Sequence, residues 1–489
     1  MTRSIKSNAI LKILLNVFNI IVPLAVGPYV ARLFIKELYD EFNTVSTIVT
    51  IIISFTTFGV YDYGVRYISG IRDDKRRTGK LFTTLFVVSI ITNMLGLIGF
   101  TVFYLTNQKG NIAIYSVFSI AIFANIFLTE WMNEAYEMYK FIMIKTVLIR
   151  ALYVVLVFVL IKRPEDVALY ALLLTLSTLI NNVSSFIYIK RRVTFDFSGI
   201  KNKSELFPVV SKLTSLVLIA NANILYTQLD KLFITGFLPT EITFYVMAQT
   251  IIYTLQNVVN SIILVTVPRL SYLLNSNKSD DYLDLIKKSS RTFFLLIYPF
   301  SIGVATMSQF IIDVYGGQKY THAGPVLLAF AVRVIVVSMS MVLANQVIYL
   351  YKKEHALIRY IIIGGILNLC FNTLLAVTHT LSSVTLVYTT MLAEIIVLAF
   401  EKHLVNKLNP KVKIFTLVNL KYLILSLGFI PISMLVKIFG LSYFLWGTIT
   451  ICACVVYYFT VLLILKDKLL FELLNPVFDK IKSTVKRKN

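Results

Sequence analysis

The chain has 489 residues, 57% of them hydrophobic and 15% charged, with a mean hydropathy of +0.78. Soluble domains carry about 25% charged residues, so a water-soluble protein of this size could not cover its surface with so few. The net charge of +22 would suit a nucleic-acid binder, but its distribution along the chain argues otherwise.

The apolar residues come in runs of about 20, long enough to cross a hydrocarbon layer as helices. Lipid offers the backbone no hydrogen-bond partner, so such runs must be helices or a closed barrel. Period-2 alternation is absent and the runs are twice strand length, so an all-α polytopic membrane protein is expected. Hydropathy places about fourteen spans, at 8–35, 43–69, 81–105, 111–138, 147–161, 167–189, 206–237, 241–273, 291–315, 323–350, 358–378, 381–401, 415–437 and 442–465. With both termini cytoplasmic, the inner segments hold 33 of the 47 Lys and Arg, the outer ends 7, and the spans the other 7. That is the positive-inside distribution. The basic charge therefore reads as a topology signal plus attraction to anionic membrane lipid, and no nucleic-acid partner is expected.

Taken in chain order, the charges inside or at the edges of spans are the informative ones. Arg32 sits at the outer end of span 1, and Asp62 and Arg66 toward the inner end of span 2. Glu130, Glu134 and Glu137 flank Trp131 near the inner end of span 4, where pairing with Lys140, Lys145 or Arg150 is the favoured role. Asp230 and Lys231 adjoin near the outer end of span 7.

Span 8 carries Gln249, Tyr253, Gln256 and Asn260 at spacings of 4, 3 and 4, one face of a helix, and ends near Arg269. A polar stripe facing lipid would be costly, so it should face protein or a water-filled cavity. Arg333 lies mid-span in span 10, too deep to reach either surface easily. It should contact either an anionic ligand or a buried carboxylate such as Glu394 of span 12 or Asp62. The amides of Asn368 and Asn372 read as interhelical hydrogen bonds. Cys370, Cys452 and Cys454 fall in apolar spans and read as small core residues. The 274–290 segment reads as a polar loop, and the tail from Lys466 as a basic amphipathic segment on the inner leaflet.

The chain also repeats itself. Arg32-Leu-Phe-Ile is echoed by Lys231-Leu-Phe-Ile, Phe42 answers Tyr245 and Arg66 answers Arg269, the last two pairs at a constant offset of 203. The repeat implies a six-helix lobe at 1–195, a cytoplasmic linker at 196–205, a second six-helix lobe at 206–405, helices 13 and 14 at 406–465, and the tail at 466–489. Both lobes begin on the inner side, so the repeat is parallel.

Several segments resemble Wzx-type flippases, of the polysaccharide transporter branch of the MOP superfamily. The run Thr129-Glu-Trp-Met-Asn-Glu-Ala-Tyr-Glu-Met-Tyr-Lys, then Arg163-Pro-Glu-Asp and Tyr170, is similar to the region of the family's fourth to sixth helices. Leu229-Asp230-Lys231, Val267-Pro268-Arg269, Tyr298-Pro299 with Gly303, Tyr315-Gly316-Gly317, Asn345-Gln346 and Glu394 follow in the family's order. The chain departs in Asn133-Glu134-Ala135, where many relatives have a glycine-containing stretch.

The resemblance implies a V-shaped cavity between two six-helix bundles that opens alternately to each side of a bacterial plasma membrane. The cargo it implies is an undecaprenyl-pyrophosphate-linked oligosaccharide, delivered to the outer leaflet for capsule or exopolysaccharide assembly. A polysaccharide polymerase and other export components would then be partners. Arg333, Arg32, Arg66, Lys231 and Arg269 are the candidate pyrophosphate ligands, because guanidinium groups bind phosphate in a bidentate way. The stripe on span 8 is the candidate sugar contact, and Asp62, Asp230 and Glu394 are the candidate gate or coupling carboxylates. No P-loop, zincin or nucleophile motif is present, so a transporter without cofactors is expected and not an enzyme. The alternatives are a cation-coupled multidrug antiporter and a lipid II flippase.

Overall fold

The protein is described here from a computed structural model that places residues 22–107, 110–222, 228–414 and 416–472. Its described residues are helical and contain no strand. Among the described residues, ten helices are long and apolar enough to cross a membrane, and up to twelve if each of two bent pairs counts as one span. The chain is a multi-pass membrane protein. Of the fourteen expected spans, half of the first lies outside the described residues, as do residues 223–227 of the seventh and most of the basic tail.

The helices are α1 (Val22–Leu33), α2 (Lys36–Thr56), α3 (Val60–Ile71), α4 (Lys75–Asn107), α5 (Ile112–Asn125), α6 (Glu130–Ala135) and α7 (Tyr139–Leu160). They continue as α8 (Val167–Lys190), α9 (Lys203–Ala222), α10 (Leu229–Phe237), α11 (Ile242–Asn275), α12 (Ser279–Thr306) and α13 (Ser308–Gly316). The last six are α14 (Ala323–Leu343), α15 (Glu354–Val377), α16 (Ser383–Leu408), α17 (Leu417–Leu427), α18 (Phe429–Ile438) and α19 (Tyr443–Ile464). Two compact units divide them. The first takes in the chain to Val246 with 315–319 and 376–383, and the second takes in 247–314, 320–375 and 384 onward.

In the first unit, two aromatic-rich clusters form the core. One gathers Phe34, Phe42, Phe118, Tyr153 and Tyr170 from α2, α5, α7, α8 and the end of α1. The other gathers Tyr63, Phe82, Leu85, Trp131 and Ile189 from α3, α4, α6 and α8. Where α2 gives way to α3, the backbone turns through Phe58 and Gly59, both at positive φ (49° and 66°). There the chain interrupts its apolar packing with a neutral polar network. Thr56 Oγ1 donates to Asn93 Oδ1 (2.8 Å), Asn125 Nδ2 to the same oxygen (2.9 Å), and Asn93 Nδ2 to the Ser89 carbonyl (2.8 Å). Gly64 is required by close approach: a Cβ there would stand 2.2 Å from Trp131 Cε3. Trp131 is therefore a packing residue, 1% exposed.

The second unit departs from the sequence expectation in three places. The 274–290 segment is not a loop; α12 begins at Ser279. Asp280 and Asp281 occupy its first turn, where the helix dipole favours negative charge. Tyr282, Ile286, Ser289 and Phe293 are buried at helical spacing, so this polar stretch has an inward face. The ninth span is not straight: α12 and α13 meet at Met307 with a 71° bend. Finally, Cys370 and Cys452 are exposed and only Cys454 is buried, so two of the three cysteines are outward-facing residues and not core. Small apolar side chains on a lipid-facing surface meet no cost that would force them inward.

Past α14 the helix widens into a π turn, 344–348, a geometry that frees backbone groups and recurs at functional positions. Gln346 in this turn donates to Thr266 Oγ1 (2.8 Å) and Ser289 Oγ (3.0 Å), while its carbonyl accepts from Tyr282 OH (3.0 Å).

Beyond α19 the chain folds back onto α12 and α17. Asp467 accepts from Arg291 Nη2 (3.0 Å), from Tyr422 OH (3.1 Å) and from Lys421, and its other oxygen accepts from the Leu470 N–H (3.0 Å). Lys288 and Glu472 pair alongside at 2.6 Å. Burial alone would raise the Asp467 pKa. The Lys421 and Leu470 hydrogen bonds and the Arg291 charge outweigh it and bring it down to about 2.

Candidate functional site

A guanidinium in the middle of an apolar helix is the most costly feature of this sequence, at about 2.5–3.5 kcal/mol even by low estimates. The structure shows what holds it. Arg333, 3% exposed on α14, grips Glu394 of α16 through two parallel bonds, Nε to Oε2 at 2.8 Å and Nη2 to Oε1 at 2.7 Å. This bidentate form is the strongest that an arginine–carboxylate pair takes. The third nitrogen, Nη1, lies 3.5 Å from Tyr253 OH on α11, and the guanidinium carbon stands 5.7 Å from the Phe330 ring. Of the two partners open to Arg333 on the sequence, a buried carboxylate or an anionic ligand, the carboxylate occupies it here, and Glu394 supplies it rather than Asp62.

One heptad further along both helices, Ser340 donates to Glu401 Oε1 at 3.0 Å. Arg333 to Glu394 and Ser340 to Glu401 are each 61 residues apart, so α14 and α16 run parallel and in register over this stretch. The polar stripe on α11 turns inward: Gln249 and Gln256 are buried, Tyr253 is half-buried, and the Asn260 Oδ1 atom is buried with no hydrogen bond among the described residues. Arg333, Glu394 and Tyr253 thus come together in one cluster within the second unit. Arg269, also on α11, is exposed, with its guanidinium carbon 5.2 Å from the Tyr272 ring. Asn368 and Asn372 accept from Thr390 (3.2 Å) and Thr389 (2.6 Å), the interhelical role expected of them.

The remaining candidates belong to the first unit. Asp62 and Arg66 are exposed one turn apart on α3. Asp230 is fully buried and accepts from Tyr245 OH at 2.8 Å, with Lys231 half-buried beside it. The Arg32 side chain is exposed, and the Arg32 carbonyl accepts from Lys319 Nζ at 3.0 Å. Lys36 caps the neighbouring turn, donating to Asp40 (2.6 Å) and to the Thr240 carbonyl (2.5 Å).

Of the α6 carboxylates, Glu130 pairs with buried Lys145 at 2.6 Å, as one of the expected pairings had it. Glu137 pairs with Arg72 at 2.9 Å, a partner outside the expected set. Ser340 and Glu401 are not among the sequence candidates because Glu401 sits at the predicted span end, where a carboxylate costs little. The shared spacing of seven, from Arg333 to Ser340 and from Glu394 to Glu401, is the signal that could have found them.

The second unit also holds an apolar cavity of about 340 Å³, walled by Leu296, Phe300 and Met307 of α12 and its exit, Phe429 of α18, and Val455 and Tyr458 of α19.

The profile of the polysaccharide biosynthesis protein family matches residues 5–274, more than half of the chain. The chain belongs to that family. Within it, the chain is 23% identical over 377 residues to the "Putative O-antigen transporter" of Escherichia coli (strain K12), covering 75% of this chain and 88% of that one. It is 19% identical over 368 residues to the protein of the same name from Shigella dysenteriae, over 75% and 91% of the two chains. The fold is shared with the lipid II flippase MurJ in its inward closed conformation, at a TM-score of 0.70 and 13% identity over 96% of this chain and 99% of that one. It is shared more loosely with a point mutant of the Vibrio cholerae MATE transporter VcmN, at a TM-score of 0.50 and 9% identity over 82% and 95%. The profile shows the family, and the likeness to these two structures shows the shared fold.

Proposed function

We propose that the protein is a flippase that carries lipid-linked oligosaccharide units, built on undecaprenyl pyrophosphate, from the inner to the outer leaflet of a bacterial plasma membrane for surface polysaccharide assembly. The observation that carries this reading is the buried Arg333–Glu394 pair, facing Tyr253 on the amide-bearing side of α11. A carboxylate brings one negative charge to the guanidinium, whereas a pyrophosphate brings more charge and more oxygens in the same fork geometry. The substrate can therefore displace Glu394 when this face opens. The buried pair then serves as a neutral resting state that avoids stranding a cation in the membrane.

The other parts of the substrate have matching chemistry. Gln249, Gln256 and Asn260 offer amides to sugar hydroxyls, and the apolar cavity beside α18 and α19 suits a stretch of prenyl chain. Arg32, Arg66, Lys231 and Arg269 serve as further cations for pyrophosphate entry and exit, and Asp62 and Asp230 as gating or coupling carboxylates. Alternating access between the lobes at 1–195 and 206–405, with a polymerase taking the delivered unit, completes this reading. The relatives named as O-antigen transporters and the family itself support it.

The test is deletion of the gene in its native host. Loss of surface polymer, with lipid-linked repeat units accumulating on the inner face, is the expected result. Normal polymer together with altered drug tolerance would replace the flippase with a multidrug antiporter.

A further inference from the structure

We propose that Glu401 is a proton-binding site that holds a neutral carboxyl in this conformation and exchanges its proton during the transport cycle; this rests on the flippase reading for its role but not for its existence. Glu401 is 1% exposed on α16. Its Oε1 accepts one hydrogen bond, from Ser340, while its Oε2 is buried with no partner among the described residues. An ionised carboxylate needs several donors, and leaving one oxygen bare in an apolar interior costs much of its solvation. A carboxylic acid has no such need, because its one proton removes the charge.

The surroundings point the same way. Arg333, the nearby cation on α14, is already held by both oxygens of Glu394. Glu394 lies two turns away on the same helix, about 10 Å along the axis, and its negative charge opposes a second one. Lys402 and His403, which follow Glu401, are exposed. The three ionisable groups Arg333, Glu394 and Glu401 therefore form a neutral set only if Glu401 is protonated.

The cluster also supplies an exchange route. When an anionic ligand takes Arg333, Glu394 loses its counter-ion, and the two carboxylates share one proton more readily than they bear two charges. That proton exchanges with water, one leaving as hydronium and one returning from hydronium to restore neutral Glu401, with no other co-reactant. Glu401 stands near the Lys402–Lys407 end of α16, so the proton leaves or arrives on the basic side of the protein.

The test is an infrared pH titration of the purified full-length protein in lipid nanodiscs. Near neutral pH, wild type should show a protonated-carboxyl C=O band that Glu401→Gln removes and Glu394→Gln retains. Ser340→Ala should move the pH at which that band disappears. A wild-type spectrum without the band, or a band unchanged in Glu401→Gln, overturns the site. Glutamine copies the neutral acid, so Glu401→Gln should keep the wild-type melting temperature; a protein that cannot fold with it overturns the proposal as well.

In a deletion strain, Glu401→Gln should lower polymer export about tenfold and remove its sensitivity to a protonophore. Export with unchanged sensitivity overturns the coupling role. If wild type itself fails to restore export, the flippase reading fails, and the infrared band still decides the site.

Discussion

One buried cluster from each unit shows two ways of satisfying polar groups deep in an apolar helix bundle. The first places a neutral network at mid-bundle, in which Thr56, Asn93 and Asn125 satisfy one another through amide and hydroxyl groups. The second places ions there, with Arg333 between Glu394 and Tyr253 and with Glu401 one heptad away. A neutral network has one satisfied arrangement and acts as glue, whereas an ionic one can change partners or protonation when a charged ligand arrives. The difference predicts that transport is sensitive to the second cluster and only stability is sensitive to the first.

The largest effect should come from Arg333→Ala. It strands Glu394 as an uncompensated buried charge, costing about 3–5 kcal/mol, and it abolishes export. The double variant Arg333→Ala with Glu394→Ala should regain most of the stability and none of the export. Recovery of both, measured by melting in detergent and by surface polymer, would make the pair purely structural.

Next comes Asp467→Asn. A native pKa near 2 against the ordinary 3.8 corresponds to at most about 2 kcal/mol, discounted because Lys421 and Arg291 are partly exposed. Because this native pKa is depressed, the stabilisation is complete at neutral pH and is lost as the pH falls through 3.8 toward 2. Melting of wild type and variant should converge in that window, and equal melting at neutral pH would show that the clasp contributes nothing.

The smallest effect should be Asn93→Ala, which leaves Thr56 and Asn125 with an unmet partner at about 1–2 kcal/mol and export unchanged at permissive temperature. A transport defect with full stability would erase the contrast between the units.

The membrane class and most helices were legible in the sequence because lipid forces one solution on a long apolar run. The break in span 9 was not, since the bend at Met307 falls in a stretch whose hydropathy continues across it. The start of α12 was hidden for the opposite reason: Ser279–Ser290 is polar overall, and only its spacing of Tyr282, Ile286 and Ser289 betrays a buried face. At the candidate site, Arg333 announces itself by its cost, and Glu394 is one of the two carboxylates that the sequence offers as its partner. Which carboxylate would win depends on the register of α14 against α16, a tertiary fact that one sequence does not encode locally. Glu401 escaped notice because hydropathy counts a terminal acid as solvated, while the parallel packing of these helices buries it.

The ring of contacts at Asp467 limits where the protein can be shortened. Ending the chain after Leu465 would delete the acid that Arg291 and Lys421 share, leaving two cations facing each other where α12 meets α17. Purification handles and reporter fusions therefore belong beyond Glu472, whose pairing with Lys288 closes the same seam.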